Sequence, residues 1–587
     1  MRKLALSLLF TLVILGLSVV GIGAAPADSG ALAMAQYFPQ ETVLFLTMRT
    51  DEAIIDDLDR IITTTLANAP LPPEVPMMTL RQALDMGLQQ ANLELADIYA
   101  WLGNGLALGL TSVPTDGSDP DGYVVLEITD RAALESFIAA QTQGMGVEPR
   151  TEGAYTVYSS PADDDAGAVL VGDDLVLVLL PGMAVPEFPL ATSLLANSAY
   201  QAAVAELPAD SYNLAAYVDV REFIPADQLD DLQIFGMSAN SVNPMMVGLT
   251  LLDNYSLVMD VVQIAGADGG NPAVARLDPG FLKFIPTDAS AVIHGTDLTG
   301  AFNQLSEVLT TAARQTDTPS PITQIEAGLQ SLGFDLQQDI LSWTTGDYAL
   351  FLRTNIRPIV QDAINGEVSV DGNFDAGLLI EATNPEAAKT FAAKLGTLIS
   401  TVLRGQESLE IKQAELEGVA VTSITVTAPV TPQNTVSLTV VIGASDDIFF
   451  IATQDAAGAI LRGEGGLDSA EAYQQASKYL LPNPTAIWYT DGEGFITGVA
   501  GTTVGFLALL GPAIGNVFEN ITDELEAPSS SNPLDLQPIY VQTEDPSQQL
   551  LAVLDYAIRV LGSSSISSTI SPTGASVIRF VITLNPQ

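Results

Sequence analysis

A chain of 587 residues with 70 acidic and 21 basic side chains carries a formal charge of -49, yet only 16% of it is charged and 48% is hydrophobic. That balance supports folded cores and excludes a wholly disordered chain; it also disfavours nucleic acid and anionic lipid surfaces, which need basic side chains opposite them. With no cysteine, disulfides, thiolate metal sites, thiol catalysis and a lipid-modified N-terminal cysteine are excluded together.

The chain starts with Met1-Arg2-Lys3, then runs uncharged and apolar from Leu4 to Ala25, and reaches Ala25-Pro26-Ala27. This is the pattern of a secretory signal peptide over residues 1–27. An apolar stretch of about 20 residues also spans a bilayer, so an uncleaved N-terminal membrane anchor is the alternative reading of residues 4–25. Either way the expected location is extracellular or in the cell envelope.

A first α+β module is expected over 36–265. Tyr37-Phe38-Pro39 turns into a strand at 42–48, and Asp51 caps a helix over 51–68, where Ile54, Ile55, Leu58, Ile61, Ile62 and Leu66 fall at helical spacing. The proline-rich run at 71–76 is a loop. Helical spacing resumes over 79–92 and in a short turn from Asp97, which Gly103 and Gly105 end before a strand at 106–110. A strand at 122–129 leads to a helix over 131–143 capped by Asp130. Strands follow at 154–159 and 168–180, the latter turning at Gly172-Asp173-Asp174. A helix at 192–207, a strand at 212–220 and a hairpin over 245–264 complete the module. The Gly/Asn/Pro-rich stretch within 266–277 is a linker.

The region 278–587 repeats this order as a second module. Pro39 matches Pro286, Trp101 matches Trp343, Glu127 matches Glu381, Ala133 and Phe137 match Ala387 and Phe391, Asp173 matches Asp446, Tyr200 matches Tyr473, and Tyr217 and Asp219 match Tyr489 and Asp491. The numbering differences between these pairs stay constant within elements and jump between them, as loop insertions in a duplicated chain would produce. The expected architecture is α+β: two tandem, duplicated modules, each a mostly antiparallel sheet with helices packed on one face. Trp101 and Trp343 read as core anchors.

The second module departs at 495–518, an uncharged run holding Gly501-x-x-x-Gly505 and Gly511-Pro512. It reads as an apolar helical insertion broken at Gly511-Pro512, with insertion into lipid and one wall of an apolar cleft as further readings. A helix at 548–560 and a strand at 576–584 close the chain.

Residues 31–61, the motif Tyr37-Phe38-Pro39-Gln40-Glu41-Thr42 and Asp97-Ile98-Tyr99-Ala100-Trp101-Leu102-Gly103 resemble a bacterial family of exported proteins known as domain of unknown function 3352. The resemblance implies export and this strand–helix order over nearly the whole mature chain. It carries over no catalytic residues.

Chemistry is sparse. His294 is the single histidine; without a Gly-x-Ser-x-Gly elbow it reads as a strand-end structural residue rather than a triad member, and a multi-histidine metal site is excluded. No lysine follows a glycine, so there is no phosphate-binding Walker loop. Asp28-Ser29-Gly30 imitates an aspartic-protease motif but lies at the exit of the signal segment. Glu127 with Glu381, and Asp219 with Asp491, are the symmetric carboxylates a hydrolase would need; caps and strand-end acids are their commoner use. Asp116, Asp119 and Asp121 form a weak calcium candidate in a loop rich in oxygen ligands. No catalytic residue and no cofactor are assigned. The expectation is a non-enzymatic binding or scaffold protein with a protein or apolar-ligand partner. The alternatives are a carrier of an apolar ligand in a cleft between the modules, and a carboxylate-dependent hydrolase.

Overall fold

The computed structural model describes residues 30–585 apart from several segments, the longest of them 70–77, 114–119, 160–166, 224–242, 267–274, 307–325, 365–371, 403–408 and 497–545. The signal or anchor segment, most of the linker and nearly all of the 495–518 run lie outside the described residues.

Among the described residues twenty strands form one sheet. In the first half these are β1 (Leu44–Arg49), β2 (Leu102–Leu110), β3 (Gly122–Ile128), β4 (Arg150–Glu152), β5 (Tyr155–Tyr158), β6 (Val169–Val171), β7 (Leu175–Leu179), β8 (Leu214–Val218), β9 (Met245–Leu251) and β10 (Ser256–Gln263). In the second half they are β11 (Ala291–Thr296), β12 (Asp347–Thr354), β13 (Phe374–Glu381), β14 (Leu409–Leu416), β15 (Val419–Pro429), β16 (Thr435–Ala444), β17 (Ile448–Thr453), β18 (Ala486–Asp491), β19 (Leu561–Ile570) and β20 (Ser576–Leu584).

Every pairing is antiparallel. The first-half order is β4-β5-β6-β7-β3-β2-β1-β8-β9-β10. β10 then pairs with β20. The second half continues as β20-β19-β18-β11-β12-β13-β17-β16-β15-β14. Read inward from either edge, corresponding strands meet the seam between β10 and β20 in the same sequence.

Aromatic packing follows the same correspondence. Tyr200 meets Tyr217 edge-to-face at 5.4 Å and 79°, and Tyr473 meets Tyr489 at 5.2 Å and 80°. Trp101 packs on Phe137 at 5.6 Å and 45°, and Trp343 on Phe391 at 5.8 Å and 49°. Both indoles are buried core residues.

Local chemistry explains the elements. Helix Glu52–Leu66 carries its apolar residues on one stripe, with Ile54, Ile55, Leu58 and Ile61 buried. Asp130 Oδ1 accepts the Ala133 N–H at 2.9 Å and starts helix Arg131–Gln141. The strand at 106–110 extends back to Leu102, because Gly103 and Gly105 sit inside β2 and not before it. A Cβ at Gly103 would stand 2.7 Å from Glu127 Cβ, so the glycine permits the close approach of β3.

Helices cover both faces, not one. Helices Glu52–Leu66, Leu80–Gln89, Leu95–Tyr99 and Arg131–Gln141 pack on Val124, Leu126, Val176 and Val178. The alternate residues Tyr123, Val125, Leu177 and Leu179 join a second core with Met34, Phe38 and Tyr200. In the second half Ile380, Ile442 and Phe449 lie under helix Pro385–Val402, while Leu379, Val441 and Phe450 pack the other way. Strands β3, β7, β13 and β17 are apolar on both sides, so a single helix layer cannot satisfy them.

Candidate functional site

One register row of the sheet is hydrophobic on sixteen consecutive strands. It runs Val171, Val176, Leu126, Leu106, Met48, Leu214, Leu249, Met259, Phe580, Ile566, Trp488, Ile293, Leu350, Leu378, Ile451, Ile442. Side chains alternate between faces, so a row of directly paired residues shares one face. At its two ends the row is roofed by the helices that cover Leu126 and Ile442. Over the middle it opens: Trp488 is 52% exposed, Leu350 46%, Ile293 40%, and Ile582 in the adjacent row 37%. Met259, Ile566 and Phe580 beside them are half-buried.

The result is an apolar floor with helical walls at both ends. At a strand spacing of about 4.8 Å, the ten steps from Leu106 to Leu378 measure roughly 45–50 Å along the sheet. From β1 to β13, each of the ten central strands presents only uncharged side chains to this face. Asp260, His294, Asp347, Arg353, Asp375, Asp491 and Arg579 all sit at the opposite parity. Beside the row on β19 stand two hydroxyls, Ser564 and Ser568. Ser564 Oγ is 2.6 Å from Thr490 Oγ1, and Ser568 Oγ is 3.2 Å from Thr485 Oγ1.

The reverse face is closed. Under the seam Asp260, fully buried, is gripped by Arg579 and accepts the Tyr212 hydroxyl at 2.8 Å. Burial raises the Tyr212 phenol far above its usual range, with the Asp260 charge adding to it. Serines 563, 565 and 567 of β19 are also buried on this side.

The symmetric carboxylates are not brought together. Glu127 on β3 and Glu381 on β13 stand eleven strand steps apart along the sheet, and Asp219 after β8 and Asp491 on β18 stand five apart. Each acid has a local task. Glu381 Oε2 accepts the Asp347 N–H at 3.0 Å, and Glu127 accepts that of Asn104, its carboxyl raised by burial despite that bond. Asp219 is held by Arg221 at 2.6 Å. Burial pushes Asp491 up to about 6, opposed by the Gly494 N–H bonded to its carboxylate.

His294 is buried, 2.9 Å through Nε2 from Asp347 Oδ2, and stacked on Phe281 at 5.4 Å. Among the described residues no serine hydroxyl bonds to it. Asp116 and Asp119 lie outside the described residues, and Asp121 Oδ2 accepts from Ser112 Oγ at 2.9 Å. Among the described residues no cluster of three or more acidic or histidine ligands surrounds a point, and no helix is long and apolar enough to cross a membrane.

The floor escaped sequence reading because its residues come from strands scattered between Met48 and Phe580. The usable signal was strands apolar at both parities, such as Val292-Ile293 and Ile487-Trp488-Tyr489. Strand β19, Leu561–Ile570, was not anticipated at all, since its serine run carries no strand preference of its own.

A family model described as Protein of unknown function (DUF3352) matches residues 4–523. No curated protein and no solved structure matches the chain.

Proposed function

This chain belongs to the DUF3352 family of proteins of unknown function, and on that premise we propose that it is an exported, non-enzymatic binding protein of the cell envelope that holds an elongated apolar ligand on the floor of its sheet. The observation that carries this is the uninterrupted hydrophobic row, roofed at its ends and open at Ile293, Leu350 and Trp488. An exposed contiguous apolar patch bounded by folded walls marks a binding surface. We read the two halves as copies of one module, supported by the shared strand order and the paired aromatic contacts. The charged start and the apolar stretch at 4–25 support export, by cleavage or as an anchor.

Magnitudes favour a long ligand. Covering one half-exposed aliphatic or aromatic side chain contributes about 1 kcal/mol. Four of them give about 4 kcal/mol, which is millimolar affinity. Useful affinity therefore requires a ligand that also covers the half-buried residues further along the row. The carboxylate-dependent hydrolase has no support, because its two acid pairs serve separate local bonds.

The test is extraction of the purified full chain with organic solvent, followed by mass spectrometry, alongside titration of the stripped protein with an uncharged apolar fluorophore. The expected result is co-purifying hydrocarbon and saturable uptake that Trp488→Ser together with Leu350→Ser removes. A stripped protein that takes up no apolar probe overturns the reading. Recovery of the protein solely from washed cytosol overturns the exported location.

A further inference from the structure

We infer that the ligand of this floor is a long-chain amphiphile with an uncharged, hydrogen-bonding head of the acyl-glycerol kind, seated at β19 with its chain over Trp488, Ile293 and Leu350. The inference rests on the apolar-ligand reading and adds the chemistry of the head.

Two observations carry it. First, none of the ten central strands offers a charged side chain to the floor, and the protein as a whole carries -49. A phosphate or carboxylate head would find no cation on these ten strands, the Arg60 guanidinium of the wall helix that lies over Tyr255 being paired with Asp57, and would approach against the field of the molecule. An ammonium head would be drawn to the protein but would lose its hydration on a floor with no carboxylate to replace it.

Second, the polar groups that β18 and β19 place beside the floor's most exposed stretch are neutral hydroxyls. Ser564 and Ser568 bracket Ile566, each on a side of the hydrophobic row, and each already bonds one neighbouring hydroxyl, Thr490 at 2.6 Å and Thr485 at 3.2 Å. The Thr490–Ser564 pair still holds one free proton and unused lone pairs, so it can donate to an ester carbonyl. In the other pair Thr485 Oγ1 also donates to the Ser568 carbonyl at 3.1 Å, which leaves lone pairs to accept from a glycerol hydroxyl. From β19 to β13 is four strand steps, roughly 19 Å, which suits a long acyl chain lying across the strands.

The experiment compares three amphiphiles of one chain length on the stripped full-length protein: monododecanoyl glycerol, dodecyl phosphate and dodecyltrimethylammonium. Trp488 reports binding, because Trp101 and Trp343 are buried. The glyceride is expected to bind tightest, and Ser564→Ala with Ser568→Ala is expected to weaken it roughly tenfold while leaving the fold intact by circular dichroism. If either charged amphiphile binds as tightly, or the serine variant binds the glyceride as well as the parent, the head assignment fails and the apolar floor stands. If no amphiphile binds, and a photoreactive group at position 488 instead couples to residues 497–545 or to a second copy of the chain, the apolar-ligand reading itself fails.

Discussion

Asp260 of β10 and Arg579 of β20 face each other across the seam between the two halves, Arg579 Nε lying 2.6 Å from Asp260 Oδ1 and Nη2 2.9 Å from Oδ2. Asp260 is fully buried and Arg579 is mostly so. The fork geometry matches a carboxylate, and its partners lie directly opposite in the ladder. Breaking such a pair strands a charge in a dry site. Asp260→Asn is expected to lower unfolding free energy by about 3–5 kcal/mol, measured by urea denaturation. Asp260→Leu with Arg579→Met is expected to recover most of that loss. A single variant as stable as the parent would show that the pair is not what holds the seam.

Gly248 on β9 supports the same cluster from beside it. A Cβ there would fall 2.3 Å from the Tyr212 ring, which cannot swing away without leaving Asp260. Gly248→Ala should cost about 1–3 kcal/mol by overpacking, and Tyr212→Phe should relieve none of it. Equal stability of Gly248→Ala and the parent in thermal melts would contradict the packing.

Leu350 and Leu379 are neighbouring positions on paired strands with opposite fates. Leu379 is fully buried on the reverse face, and Leu350 is 46% exposed on the floor. Leu379→Ala should cost about 2–5 kcal/mol. Leu350→Ala should change stability by about 0.5 kcal/mol or less while weakening uptake of an apolar probe. The two readouts, denaturation and probe titration, should therefore separate cleanly.

Trp488 is 52% exposed, whereas Trp101 is 3% and Trp343 is 0% exposed. A neutral collisional quencher should reach only Trp488, and Trp488→Phe should abolish the quenchable component. Saturating apolar ligand should protect it. Uniform quenching of all three indoles would contradict the placement of the two core tryptophans.

Asp491 ties stability to pH. Burial raises its carboxyl from 3.8 to about 6. Between these values the folded protein holds a proton that the unfolded chain has released, so this group's contribution to stability falls as pH rises. The fall begins near the unfolded value and is complete above the folded one, and its size is on the order of 3 kcal/mol. The difference in unfolding free energy between the parent and Asp491→Asn, followed from pH 4 to pH 7, should therefore shrink or change sign as pH rises. A flat difference would show that Asp491 is not desolvated.

Much of the first half could be read from local chemistry. Asp130 ahead of an apolar stripe gives a capped helix, and Gly172-Asp173-Asp174 between β6 and β7 gives a hairpin, because cap and turn preferences act within a few residues. No bounds are read from sequence for the second-half strands β14 to β16, and the serine-rich β19 is not anticipated. Their stability comes from neighbours on either side, and short-range preference says little about it. The single helix layer was the wrong expectation for strands such as β3, where Tyr123, Val124, Val125 and Leu126 are all buried.

The sequence by itself determined the exclusion of thiol and multi-histidine chemistry, the α+β class and the family, because each depends on residue types or on local spacing. Only the tertiary structure decided that Met48, Met259, Phe580, Trp488 and Leu350 share one row. Register does this: a one-residue slip in any central strand would send its hydrophobic set to the other face. The pairing of β10 with β20 joins positions more than three hundred residues apart, with Asp260 opposite Arg579 and Ser256 opposite Thr583, and neither neighbourhood shows it alone.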